Sequence, residues 1–127
     1  MIVASLAFIL LTATFCVASE EEEMEVGIEL VGCFADDAND RALPTLFENV
    51  RDKIIWSNMN ETVRMCADAA ANHDPPYMWF GIQFYGECWT GADAEVTYNK
   101  YGPSTNCWNG VGKHLTNAVY RFVMKGK

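Results

Sequence analysis

The chain has 127 residues, of which 50% are hydrophobic, and 17 acidic against 9 basic side chains give a formal net charge of −8. This length is typical of one domain with one hydrophobic core. The negative charge argues against nucleic acid or an anionic membrane surface as a partner, because both attract basic patches. Cationic partners and divalent ions remain compatible with the charge.

Residues 1–19, MIVASLAFILLTATFCVAS, carry no charged side chain and are mostly apolar. They fall short of the roughly 20 residues that a membrane-spanning helix needs. Cleavage after Ala18 or after Ser19 would leave small residues at positions −1 and −3. We therefore predict a secretory signal peptide at residues 1–19 and a secreted, extracellular protein. No later segment is apolar and long enough to predict a membrane span.

Residues 20–27, EEEEMEVG, are rich in glutamate and predict an acidic disordered tail, because so charged a segment cannot pack. A solubilising role is the favoured interpretation. The alternative is that the glutamates bind divalent cations weakly or contact a mineral surface.

Residues 28–124 are predicted to form one domain. Alternating apolar residues from Ile28 to Phe34 predict its first strand. Residues 41–56 show no clean period, and they predict a long connection with apolar anchors and one short helical turn.

The turn after the first strand is rich in oxygen-bearing side chains, those of Asp36, Asp37, Asn39 and Asp40. Such oxygens suit calcium. However, Ala38 stands where an EF-hand loop needs an oxygen ligand, and the glycine of that loop is missing. A solvated turn is therefore favoured, and we predict no metal site.

The clearest helix is predicted over residues 63–71, because apolar side chains recur there at positions i, i+3, i+4 and i+7. These side chains are Val63, Cys66, Ala67 and Ala70. The prolines after Asp74 end the helix. Asn60-Glu61-Thr62 is a glycosylation sequon, but Asn60 or Thr62 could instead cap the helix. Both interpretations of Asn60 stay open.

A strand with period-2 alternation is predicted from Tyr77 to Tyr85, and a second extended piece continues it to Trp89. The even positions form an apolar face of Phe80, Ile82 and Phe84, whose parity Cys88 shares. The odd positions, termed the odd face, are Trp79, Gln83, Tyr85, Glu87 and Trp89. Further along, the sequence predicts a weak strand at residues 96–101, a loop at 109–112 and a final strand at 118–123.

Removal of the signal peptide takes away Cys16 and leaves four cysteines, which in a short secreted chain indicate two disulfides. Three pairings are possible. Cys66 lies on the apolar stripe of the helix and Cys88 on the apolar face of the strand. Packing of that helix on that strand predicts a Cys66–Cys88 bond, which leaves Cys33 to bond with Cys107.

Several motifs, in chain order, resemble those of WSC domains. They are Val31-Gly32-Cys33-Phe34 followed by Asp36 and Arg41-Ala42-Leu43-Pro44, the helix start Thr62-Val63-Arg64-Met65-Cys66, the strand Phe80-Gly81-Ile82-Gln83-Phe84 and its end Gly86-Glu87-Cys88-Trp89. The resemblance covers about residues 31–123 and extends to WSC-like and PAN/apple-like extracellular modules of marine invertebrates. Two cysteines usual in WSC domains are replaced by Ala70 and Thr90, as expected after the loss of one disulfide.

The resemblance implies an α+β fold with a small antiparallel sheet and one main helix disulfide-bonded across it. It also implies non-catalytic binding of an extracellular glycan or protein, with no cofactor. On the odd face, aromatic rings could stack on sugars while Gln83 and Glu87 bind hydroxyl groups. The alternative, which we favour, is that the odd face is a second core layer.

No catalytic constellation is visible in the sequence. His73 and His114 stand in no metal-binding spacing, and the two disulfides leave no free thiol. We therefore predict a binding module for an extracellular glycan or protein rather than an enzyme. Two alternatives stay open: an acidic structural protein of a matrix or mineralised tissue, and a venom or defence polypeptide.

Overall fold

The computed structural model describes residues 23–126, so the predicted signal peptide and part of the predicted acidic tail lie outside the described residues. Residues 27–123 form one compact unit, and the described residues 23–26 and 124–126 belong to another. The elements in chain order are β1 (Met24–Ala35), β2 (Thr45–Asn49), a 3-10 turn (Arg51–Lys53), α1 (Asn60–Asn72), β3 (Trp79–Gln83), β4 (Glu87–Thr90), α2 (Ala94–Thr97), β5 (Cys107–Trp108), β6 (Val111–Gly112) and β7 (Thr116–Gly126).

The main sheet has five antiparallel strands in the order β1-β7-β3-β4-β2, and β5 and β6 form a separate two-stranded ribbon. β3 is the middle strand. Its Ile82 lies opposite Ala118 of β7 on one side and opposite Cys88 of β4 on the other. The main helix, α1, packs against β2 and β3. The predicted α+β fold is confirmed.

The even face of β3 and β4 packs against α1 and forms the main core. Phe80, Ile82 and Cys88 are completely buried there beside Cys66 and Ala70 of the helix. The predicted Cys66–Cys88 disulfide is present and ties α1 to β4, with 5.6 Å between the two Cα atoms. Closing a ring of this size stabilises a domain by about 3 kcal/mol in the chain-entropy model.

The predicted second disulfide, between Cys33 and Cys107, is also present. Its sequence separation is 74 residues, so it constrains the unfolded chain more than the shorter ring does. It joins the end of β1 to the start of the β5–β6 ribbon.

The opposite face of the main sheet carries a second core layer. The buried side chains of this layer come from three separate segments and are Leu43, Trp89 and Ala94. The rings of Trp79 and Tyr98 pack beside them. Gly81 permits this packing, because a Cβ atom at that position would lie only 2.8 Å from Cδ1 of Leu43.

A buried carboxylate, that of Asp36, fastens the covering segment to the sheet. One of its oxygens accepts a hydrogen bond from the backbone N–H of Ala42 at 2.8 Å. The other accepts from the guanidinium of Arg41 at 3.2 Å and from the side-chain amide of Gln83 at 2.9 Å. A buried charge is tolerated when hydrogen bonds of this kind compensate its desolvation. Residues 36–43 are thereby held over β3.

Several strand boundaries differ from the predicted ones: β3 spans Trp79–Gln83 rather than residues 77–85, and β7 spans Thr116–Gly126 rather than residues 118–123. β1 begins at Met24 rather than at Ile28, so residues 24–27 of the predicted disordered tail form part of a strand. Residues 45–49 of the predicted connection form the edge strand β2. The pairing of β2 with β4 shifts register between Leu46 and Glu48. A bulge of this kind breaks the period-2 alternation by which a strand is recognised in sequence.

The prediction of a strand at residues 96–101 is wrong. Residues 94–97 form the short helix α2, and turns follow it. Ala94 is buried against the second core layer, Thr97 donates a hydrogen bond to the carbonyl of Ala42, and Val96 is 71% exposed. The apolar side chain of Val96 thus points to solvent, which the sequence pattern did not reveal.

The interpretation of Asn60 or Thr62 as the helix cap is also wrong. α1 already includes both residues, and the capping position is Met59, which makes no side-chain cap hydrogen bond. The Thr62 hydroxyl is buried and has no partner among the residues that the structure describes.

Replacing Asp36 by asparagine is expected to lower the free energy of unfolding by about 2–3 kcal/mol, because Arg41 and Gln83 lose a charged acceptor in a buried position. Urea unfolding followed by circular dichroism measures the effect. The neighbouring exposed Asp37→Asn is the matched control and should change stability by less than about 0.5 kcal/mol. Equal losses in the two variants would contradict the role of Asp36.

Candidate ligand-binding site

The odd face, for which a second core layer is the favoured interpretation and a binding surface the other, is largely covered. Gln83 and Trp89 are only 2% and 8% exposed. The amide of Gln83 donates to Asp36 and to Asn117, and the guanidinium of Arg41 lies 4.1 Å from the Trp89 ring centroid. These two members of the odd face are therefore part of the second core layer.

The other three members of the odd face contact different partners. The Trp79 ring packs against Tyr98 with 5.0 Å between ring centroids, and Glu87 accepts a hydrogen bond from Nε1 of Trp89. Tyr85 leaves the face, because it stands in the turn between β3 and β4. The structure does not bring the five residues together on one open surface, and their role in binding stays a prediction.

An aromatic cluster of two exposed rings and the half-buried ring of Tyr85 lies at this turn. The ring centroids of Trp56 and Tyr85 are 5.4 Å apart, and those of Trp56 and Trp108 are 6.3 Å apart. Trp56 is 56% exposed and Trp108 is 37% exposed. Trp56, Tyr85 and Trp108 are termed the tryptophan ridge. Large apolar side chains exposed side by side, unlike single ones, mark interaction sites.

Tyr85 reaches the ridge through a strained turn. Phe84 and Tyr85 have φ angles of 51° and 69°, which bulky residues rarely adopt. Their backbone N–H groups donate to the carbonyls of Lys113 and Gly112 at 3.0 and 2.9 Å, which fixes the turn. Strain of this kind costs on the order of 1–3 kcal/mol per residue and is concentrated at functional sites. Here it sets the position of one ridge ring.

Trp108 is presented by the β5–β6 hairpin. Asn109 and Gly110 form its two-residue turn with φ angles of 47° and 88°, as a type I′ turn requires. The Tyr120 hydroxyl donates to the carbonyl of Gly110 at 2.8 Å. At the start of the hairpin, Cys107 is fixed by its disulfide. Trp108 is therefore held by a covalent bond on one side and by a hydrogen-bonded turn on the other.

Two clefts adjoin the ridge, and the Asn109–Gly110 turn lines both. The first has a volume of about 350 Å³ and is termed the amide cleft; its lining residues are Ser57, Asn58, Met59, Asn60, Asn109 and Gly110. The second, about 160 Å³, is a mainly apolar hollow beside Leu30, Trp108 and the Cys33–Cys107 disulfide. Aromatic faces beside amide groups suit a ligand that has both C–H and hydroxyl surfaces.

Asn60 is exposed in the first turn of α1 and lines the amide cleft. A glycan attached to Asn60 would therefore stand next to the ridge. Its glycosylation stays a prediction.

The acidic turn is occupied by cations of the chain itself. Asp36 pairs with Arg41, and Asp40 pairs with Lys100 at 2.7 Å. The hydrogen bond from the Lys100 ammonium lowers the pKa of Asp40. Within residues 23–126, no three His, Cys, Asp or Glu side chains are grouped so as to hold a metal ion. In the same range, no helix has the length and apolarity to cross a membrane.

The sequence indicates neither Trp56 nor Trp108 as a site residue, and Trp56 is predicted only as an apolar anchor of the connection at residues 41–56. Both stand in segments without periodicity, so no strand or helix face indicated that they meet. The Asn109-Gly110 dipeptide is a strong hairpin signal, and it could have marked Trp108 as a side chain presented beside a tight turn. No comparable signal marks Trp56, whose ring neighbours are distant in sequence.

Comparison of the chain with known protein families, curated proteins and solved structures finds no match. The resemblance to WSC-like and PAN/apple-like modules therefore stays an expectation from the motifs that carry it.

Burial raises the pKa of Tyr120 to about 12, whereas an unfolded tyrosine titrates near about 10. The folded chain thus binds the Tyr120 proton more tightly than the unfolded chain does. This difference stabilises the folded state fully below about pH 10, and the stabilisation is lost as the pH rises towards 12. We expect Tyr120→Phe to lose about 1 kcal/mol at neutral pH, since the bond to the Gly110 carbonyl is gone.

The free energy of unfolding by urea is measured for both proteins at several pH values, and the exposure to alkaline solution is kept brief. Between about pH 10 and 12 the stability of the parent chain should fall more steeply than that of Tyr120→Phe. Parallel curves would show that Tyr120 keeps an ordinary pKa in the folded state.

Proposed function

We propose that this protein is a secreted, non-catalytic binding module that binds an extracellular glycan at the tryptophan ridge. The observation that carries the proposal is the exposure of Trp56 and Trp108 in mutual contact. The C–H groups of a pyranose pack on aromatic surfaces, so a sugar ring can cover an exposed indole without breaking any hydrogen bond of the protein.

The amide cleft supports the choice of a glycan. Asn58, Asn60 and Asn109 line it, and each asparagine side chain offers both a donor and an acceptor. Hydroxyl groups of a sugar need both. A few polar groups beside an aromatic wall are the usual composition of a small-ligand site.

Rigid presentation of the ridge is a further support. The strained turn at Tyr85 and the cross-linked hairpin at Trp108 hold two ridge rings in place before any ligand arrives. A binding surface that is ordered in advance loses less conformational entropy on association. The two disulfides, and the expectation from WSC-like modules, agree with an extracellular role.

A glycan array probed with the refolded, oxidised mature chain identifies the ligand, and quenching of tryptophan fluorescence gives its Kd. We expect Trp56→Ala and Trp108→Ala each to weaken binding about tenfold or more, since truncation of a stacking aromatic costs about 1–3 kcal/mol. Trp56→Phe should retain part of the affinity, because a smaller ring remains.

The matched control is Val96→Ala, which removes an exposed apolar side chain from α2, outside the ridge. Its affinity should equal that of the parent chain. The affinity of Asn60→Gln is compared with that of the parent chain produced with and without glycosylation. This comparison distinguishes the contribution of the Asn60 amide to binding from that of a glycan attached to it. An array without a hit, or a ligand bound equally by both alanine variants, would contradict the proposal.

A further inference from the structure

Basic side chains without a carboxylate partner are grouped around the turn between β3 and β4. Within residues 27–123, the lysines and arginines that form ion pairs are Arg41, Arg64, Lys100 and Arg121. Arg51, Lys53 and Lys113 form none. The first two belong to the 3-10 turn, which is joined to the β3–β4 turn because the backbone N–H of Val50 donates to the carbonyl of Gly86 at 2.8 Å. The carbonyl of Lys113 accepts the N–H of the turn residue Phe84.

Arg51 is held over the ring of Phe84. The central guanidinium carbon lies 3.9 Å from the centroid of this ring, which is a cation–π contact. The backbone N–H of Arg51 donates to Oδ1 of Asn49 at 3.1 Å. Gly86 permits the close approach of the two turns, because a Cβ atom at that position would lie 3.2 Å from Cα of Arg51. The guanidinium is therefore oriented by the protein itself.

The N–H groups of this guanidinium are available to a ligand. Arg51 is exposed, and within residues 23–126 its side chain makes the contact with Phe84 but no hydrogen bond and no ion pair. Asp52, in the same 3-10 turn, does not pair with it. A guanidinium that lies flat on a ring presents its N–H donors along its edge, where two of them can bind two oxygens of a carboxylate or a sulfate.

The Arg51 guanidinium is a near neighbour of the tryptophan ridge. The Phe84 ring beneath it is 6.2 Å from the ring of Tyr85, and Tyr85 is 5.4 Å from Trp56, measured between ring centroids. On another side of Phe84, the exposed ring of His114 lies 5.9 Å away and offers a further N–H donor. An oligosaccharide that covers Trp56 and Tyr85 would therefore extend to Arg51.

We propose that the glycan of the tryptophan ridge is anionic and that Arg51 binds its oxyanion, either a uronate carboxylate or a sulfate ester. This inference rests on the proposed function and names the substrate class of the same site. The net charge of −8 does not oppose it, because charges farther away than about 8 Å are largely screened at physiological salt. An oxyanion at Arg51 interacts mainly with the unpaired cations beside the turn.

The test uses the mature, oxidised chain and three chondroitin hexasaccharides of equal length. One is sulfated, one is unsulfated and keeps its uronates, and one is unsulfated with its carboxyl groups reduced and is therefore neutral. Quenching of tryptophan fluorescence gives each Kd. We expect the sulfated form, or both anionic forms, to bind about tenfold or more tightly than the neutral form, as a charge-assisted bidentate contact implies. Tight binding of the unsulfated uronate form identifies the carboxylate as the oxyanion, and tight binding of the sulfated form alone identifies the sulfate.

Arg51→Gln should lower the affinity for the anionic form to that for the neutral form, whereas Arg51→Lys should retain part of it because the charge remains. Arg121→Gln is the matched control, since it removes the same charge from an exposed arginine that pairs with Glu29 at the far end of β3. It should bind like the parent chain.

Equal binding of the neutral and anionic hexasaccharides, an inert Arg51→Gln, or an equal loss in Arg121→Gln would overturn the inference. The proposed function is judged separately by Trp56→Ala and Trp108→Ala. If these variants lose affinity and Arg51→Gln does not, only the anionic substrate class is wrong. If Arg51→Gln loses affinity and the tryptophan variants do not, the ridge is not the glycan site.

Discussion

The buried carboxylate of Asp36 holds closed the face of the sheet opposite to α1. Its side chain is fully removed from water, and an uncompensated charge in that position would cost several kcal/mol. Donors from the loop itself and from β3 satisfy it, and these hydrogen bonds hold the loop against the sheet. Leu43 then fills the space above Gly81. The odd face is closed as a consequence, and exposed aromatic surface remains at the ends of the strands.

The middle strand connects the second core layer to the tryptophan ridge. β3 begins at Trp79 beside the second core layer and runs into the strained turn that carries Tyr85 of the ridge. Both disulfides stabilise this arrangement, one below the strand through α1 and the other at the hairpin of Trp108.

Much of the fold could be predicted from the sequence, and little of the site. The helix stripe and the parity of Cys88 predicted α1, the main core and both disulfides, because these features follow from local geometry with fixed periods. The strand β2 was not predicted because a bulge interrupts its alternation of apolar residues. The helix α2 was not predicted because its apolar residue Val96 is exposed and gives no helical pattern. The ridge was missed for a different reason: Trp56 and Trp108 belong to irregular segments, and only long-range packing brings them together.

The sequence alone determined a small α+β domain with two specific disulfides, because alternation and helical spacing dictate which side chains share a face. It could not determine what covers the odd face, since that depends on where residues 36–43 fold back. Only the tertiary structure decided that Gln83 and Trp89 are core and that Trp56 and Trp108 are surface. The physical reason is that burial depends on contacts between segments far apart in the chain, and a local pattern does not encode them.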